Sequence, residues 1–145
     1  MSPIKWLCAI ALSICCVGCL HPTQAVMADT DPYSWQDTLY LKIQNGDTTT
    51  LRDVNFVIRK NREFRDDSLY VEFTLIAPDS SHYTEQISFP MVHIRRAAAL
   101  HDIDEIPYRR GVVFVRSGEY QMVVIPLRGV RGIEAAGINI VKSEL

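Results

Sequence analysis

The sequence predicts an all-β protein: an antiparallel two-sheet β-sandwich of about seven to eight strands behind a cleaved N-terminal lipoprotein signal peptide. Three observations carry the fold. Stretch after stretch alternates apolar with polar residues, the period of a half-buried strand. Gly, Pro, Asn, Asp and Ser punctuate these stretches at short intervals, the spacing of a sandwich. The chain has 145 residues, of which 48% are hydrophobic, enough for one domain with its own core.

The first strand is read over residues 35–44. Trp35, Asp37, Leu39, Leu41 and Ile43 share one parity, apolar but for Asp37. Asn45-Gly46-Asp47 then supplies a turn, because Asn and Gly tolerate positive φ. Residues 51–60 form the second strand, with Val54, Phe56 and Ile58 on one face. The charged stretch 61–68 reads as a loop or a hairpin tip. The third strand, 69–77, turns Leu69, Val71, Phe73 and Leu75 inward, and Pro78-Asp79-Ser80-Ser81 breaks it. The fourth, 83–89, places Tyr83, Glu85, Ile87 and Phe89 on one parity, and Pro90 ends it or marks an edge.

Residues 91–110 are the least regular. Within them 94–101, with Ala97-Ala98-Ala99, is open between a turn or two of helix and irregular chain. The strongest local signal follows: 112–116 and 119–127 read as a hairpin across Ser117-Gly118. Residues 128–134, with Gly129 and Gly132, read as a crossover loop, and 136–142 as the last strand. There is no internal repeat and no low-complexity segment.

The N-terminus carries an address. Lys5 precedes an almost unbroken apolar run, 6–17, and Cys16-Val17-Gly18-Cys19 follows as a lipobox. Gly18 gives the signal peptidase access to the bond, and the Cys19 thiol takes the lipid. Cys16 stands where Leu is usual. The run is too short for a membrane span, which takes about 20 apolar residues, and fits a signal peptide. A second processing is open: cleavage after Val26-Met27-Ala28 by the peptidase of soluble secretion. The expected organisation is a signal peptide over 1–18, a lipidated flexible tether over 19–34 and the sandwich over 35–145.

Composition excludes several functions. All four cysteines lie within residues 8–19, so the domain has no disulfide framework, no Cys-based zinc site and no thiol catalysis. The formal net charge is −2. Residues 29–106 carry the acidic excess, and residues 107–145 a basic one that includes Arg128 and Arg131. Those two arginines are candidate contacts for an acidic partner; the alternative is pairing with carboxylates of the same chain. Export and the lack of a dense basic run exclude nucleic acid.

Catalytic constellations are weak. His101-Asp102-Ile103-Asp104-Glu105 lacks the glycine and spacing of a calcium loop. Asp79-Ser80-Ser81-His82 sets a hydroxyl beside an imidazole, but neighbours on a turn do not make a nucleophile with its base. Glu72 and Glu85 cannot be singled out as a glycosidase pair. Gly129 and Gly132 lack the strand-to-helix context of a phosphate loop. No metal or cofactor is implied, and the expectation is a protein without enzymatic activity. Tyr33, Trp35 and Tyr40 could stack on sugar rings or close the end of the core.

The tail, from Phe114-Val115-Arg116-Ser117-Gly118-Glu119-Tyr120 through Arg128-Gly129-Val130-Arg131-Gly132-Ile133 to Gly137-Ile138, resembles the C-terminal signature of the gliding-motility lipoprotein H (GldH) family. Cys19, Trp35 and the strand Phe56-Val57-Ile58-Arg59 fit the front half of that pattern. The middle departs: residues 64–70 keep only the spacing, and 107–111 lack a Trp-Gly pair. The resemblance implies an accessory lipoprotein of the outer membrane, working with the gliding machinery and its associated secretion system through protein partners. A glycan-binding lipoprotein of an envelope uptake system is the alternative. No acidic run follows Cys19, which points to the periplasmic face.

Overall fold

The computed structural model describes residues 23–93 and 100–144. The expected signal peptide, Cys19 and the ambiguous stretch 94–99 lie outside the described residues. The regular elements described are all strands: β1 (Gln24–Asp29), β2 (Leu39–Asn45), β3 (Arg52–Asn61), β4 (Ser68–Ile76), β5 (His82–Pro90), β6 (His101–Val112), β7 (Gly118–Pro126) and β8 (Ile133–Lys142). They form two four-stranded antiparallel sheets, ordered β1-β8-β3-β6 and β2-β7-β4-β5.

The predicted parities of β3 and β4 hold, and that of β2 holds from Leu39. The strand expected from Trp35 starts four residues later: Trp35 makes only an isolated bridge to Val130, and Asp37 lies exposed between Trp35 and Leu39. Leu39, Leu41 and Ile43 are buried, as are Val54, Phe56 and Ile58, and Leu69, Val71 and Phe73. Ala136, Ile138 and Ile140 of β8 and Tyr120, Met122 and Val124 of β7 complete the two inner faces. Aromatic rings key the sheets together. Phe56 of β3 meets Phe73 of β4 at 5.1 Å and Phe89 of β5 at 5.0 Å, and Tyr108 of β6 stands edge-on to Phe73 at 4.9 Å. Such pairs add about 0.5–1.5 kcal/mol each beyond the area they bury.

Four expectations are corrected. The tether predicted over 19–34 is in part a strand: β1 pairs with β8 from Gln24↔Ile140 to Asp29↔Ala135, so the domain begins at Gln24 rather than at Trp35. The run carries little strand signal because only Val26 and Ala28 of β1 turn toward the core, each partly buried. The hairpin predicted across Ser117-Gly118 does not form. β6 ends at Val112, residues 113–117 pass from one sheet to the other, and β7 pairs with β2 and β4. Within the stretch 91–110, read as irregular, His101 starts a twelve-residue edge strand that runs to Val112. The last strand starts at Ile133, taking in residues assigned to the crossover loop.

Candidate functional site

Strand directions give the sandwich two chemically different ends. One is built from residues 45–51, 77–81 and 113–117 and lies beside Gln24, where β1 starts. The other is built from residues 30–35, 61–67 and 127–132 and carries Arg128 and Arg131.

At the first end, three aspartates tie down the loops. Asp47 Oδ1 accepts from the Thr49 N–H at 2.9 Å, and the Thr50 hydroxyl bonds its Oδ2. Asp53 accepts from the Gly111 N–H at 2.9 Å and from Arg110 Nη1 at 3.2 Å. Asp79 accepts from the Ser81 hydroxyl at 2.6 Å and pairs with Arg116 at 2.9 Å. Hydrogen bonds to the charged form hold all three below the ordinary carboxylate value. The largest contributors are the Thr50 hydroxyl at Asp47, the Gly111 N–H at Asp53 and the Ser81 hydroxyl at Asp79. Asn45 adds a further tie, its Nδ2 donating to the Phe114 and Arg116 carbonyls at 3.0 and 2.7 Å.

The same end clasps β1 to the opposite sheet. With its amide turned so that both partners are satisfied, Gln24 donates to the Gln44 carbonyl at 3.0 Å and accepts from the Gln44 N–H at 3.1 Å. Next to β1, Gly137 of β8 has no room for a side chain: a Cβ there would lie 2.1 Å from the Val26 carbonyl oxygen. β1 is therefore a fitted strand.

At the second end, both candidate contact arginines are paired within the chain. Arg131 Nε lies 3.0 Å from Glu63, and Arg128 Nη2 lies 3.7 Å from Asp66. The Arg128 guanidinium also sits over the Tyr70 ring at 5.1 Å. All four charged side chains are exposed, and pairs of that kind contribute at most about 1 kcal/mol. An acidic partner could replace Glu63 or Asp66 at little cost. Beneath them Gly132 has φ of 89°, and a Cβ there would lie 2.2 Å from the Phe64 nitrogen. The arginine loop is seated on the 61–67 loop by that contact and by the Asn61 N–H to Gly132 carbonyl bond of 2.8 Å.

The other singled-out residues are dispersed. Trp35 is fully buried at the second end, its Nε1 donating to the Asp37 carbonyl at 2.8 Å. It closes the core and offers no sugar platform. Tyr33 is 78% exposed near it, while Tyr40 projects from the outer face of β2. Ser81 is engaged by Asp79 within its turn. His101 Nδ1 lies 2.8 Å from Glu134, whereas Asp104 pairs with Lys60, so that run splits between two faces of β6. Among the described residues no group of His, Cys, Asp and Glu is placed to hold a metal ion.

Two polar clusters escaped sequence reasoning. Lys60, only 5% exposed, pairs with Asp104 and donates to the Val92 carbonyl at 2.8 Å. Glu85 accepts from the Tyr108 hydroxyl, and Arg109 Nη2 donates to both its carboxylate oxygens at 2.5 and 2.7 Å, joining edge strands β5 and β6. Burial, with the hydrogen bond to Glu85, pushes the Tyr108 phenol above its ordinary value and keeps it protonated. A signal existed in both cases. Lys60 continues the inward parity of Val54, Phe56 and Ile58, and Glu85 shares that of Ile87 and Phe89.

No protein-family model and no curated protein matches the chain. Among solved structures, it is similar to a chain from the structure of infectious bursal disease virus, Gx strain, at 10% identity and a TM-score of 0.36. The match covers 84% of this chain and 32% of that one, so the protein spans about a third of its length. Nothing about function follows from a likeness at that level.

Proposed function

We propose that the protein is an accessory lipoprotein of the outer membrane, held by acylated Cys19 on the periplasmic face, that serves the gliding-motility machinery and its associated secretion system by binding protein without catalysis. The observation that carries the anchor is β1. Cleavage after Ala28 would remove five of the six residues of a strand that pairs with β8 along its length. It would also remove the Val26 and Met27 backbone that Gly137 leaves room for, and open the β8 edge. Cleavage before Cys19 keeps all of it. The lipobox and the complete sandwich thus favour the same mature protein.

The assignment to the gliding-motility lipoprotein H family rests on the tail motif. Within that stretch, Gly132 sits against the Phe64 backbone, and Arg128 and Arg131 lie on the same loop. These exchangeable arginines are the surface offered to an acidic protein partner. The test is cross-linking in intact cells of the native host, with partners identified by mass spectrometry. Envelope machinery proteins should be recovered, and Arg128→Glu with Arg131→Glu should reduce that recovery. Recovery of glycan-uptake components, or no effect of charge reversal, would contradict the reading.

A further inference from the structure

We infer that the loop end formed by residues 45–51, 77–81 and 113–117 is a membrane seat, resting on the headgroups of the leaflet that holds the lipid. The inference rests on the anchor reading and adds an orientation to it. Four residues, Leu20 to Thr23, separate Cys19 from the first residue of β1. Fully extended, the five steps from Cys19 to Gln24 reach about 17 Å. Because β1 starts at this end, the end itself can stand no further than that from the bilayer.

The chemistry of the end suits the position. Val115 is 71% exposed, and Leu51 and Val113 are exposed at the same end. Arg110 and Arg116, paired with Asp53 and Asp79, keep their guanidinium groups exposed at this end, and Lys142 ends β8 there. The aspartates there are already engaged: Asp53 by Gly111 and Arg110, Asp79 by Ser81 and Arg116, Asp47 by Thr49 and Thr50. The same bonds hold the loops in shape, so a bilayer meets a preformed surface. A weak contact suffices, because the tether keeps its local concentration high. The arginine end then points away from the membrane, about 33 Å further out along the ten residues of β3.

The test uses the full-length chain, processed in a lipoprotein-competent bacterial host. It is reconstituted into vesicles of phosphatidylethanolamine and phosphatidylglycerol with brominated acyl chains. Val115→Trp places a fluorophore at the seat, and Tyr33→Trp places one at the far end. Cleavage before Cys19 removes Trp6 and leaves buried Trp35 as the common background. Seating Val115 at the headgroup–acyl boundary should quench the added emission by about half, with Tyr33→Trp unaffected. Leu51→Trp should follow Val115→Trp. The mass of the N-terminal peptide is read on the same sample. An acylated Cys19 with no quenching at Val115 and Leu51, or with equal quenching at Tyr33, overturns the seat and leaves the anchor standing. A mature protein without acylated Cys19 overturns both.

Discussion

Three aspartates carry an unusual share of one end of this molecule. Asp47, Asp53 and Asp79 each accept hydrogen bonds that favour the ionised form, and each is held below the ordinary value of 3.8. A carboxylate depressed on folding contributes stability that is fully present above its unfolded pKa. That contribution is lost as pH falls through the folded value. The melting temperature should therefore hold from pH 7 to about 4 and fall steeply below that. Asp47→Asn should flatten that acid limb, and an unchanged limb would show the Thr49 and Thr50 bonds to be weaker than drawn. At this scale the sequence was readable where neighbours set the outcome. The inward parities of Leu41, Phe56 and Phe73 and the Pro78–Ser81 turn followed from local pattern. Where a partner lies far along the chain, it was not. Asp53 meets Gly111, Lys60 meets Asp104 and Glu85 meets Tyr108 across 58, 44 and 23 residues.

Strands show the same division between local and distant control. β2, β3 and β4 announce themselves because one face of each is apolar and buried. β6 hides because its first half is inverted: Asp104 points inward to Lys60, while Ile103 points out, and only from Ile106 do apolar residues face the core. The misread at Ser117-Gly118 has a related cause. A hairpin turn and an arch between sheets both need a short glycine-bearing link, and Gly118 at φ of 126° serves the arch. The choice depends on β7 finding β2 and β4, which residues 112–127 do not encode alone. β1 was missed because it is short and depends on a gap in its neighbour. Gly137→Val should fill that gap and displace β1, costing about 1–3 kcal/mol by the usual penalty for overpacking. Denaturant unfolding would measure the loss, and amide exchange should show β1 and the facing edge of β8 losing protection. Unchanged stability would mean that β1 is not held as described.

The whole molecule is a two-sheet sandwich with chemically different ends, one beside the start of β1 and one carrying Arg128 and Arg131. β1 takes Gln24–Asp29 out of the tether expected over 19–34, so the proposed anchor at Cys19 would be followed within four residues by the sandwich. Of the candidate contacts, Arg128 and Arg131 do lie together on one loop, as their spacing suggested. Their pairing with Glu63 and Asp66 was not legible, since it depends on the 61–67 loop folding beneath Gly132. Trp35, a candidate sugar platform by sequence, is core. The central claim is that the mature protein begins at Cys19 and keeps β1. The most direct measurement is the mass of the N-terminal peptide of protein isolated from the native membrane fraction. The expected result is an acylated peptide starting at Cys19 and running through Gln24–Asp29. A free N-terminus at Asp29 would contradict it, because the sandwich would then stand without the strand its Gly137 is shaped to receive.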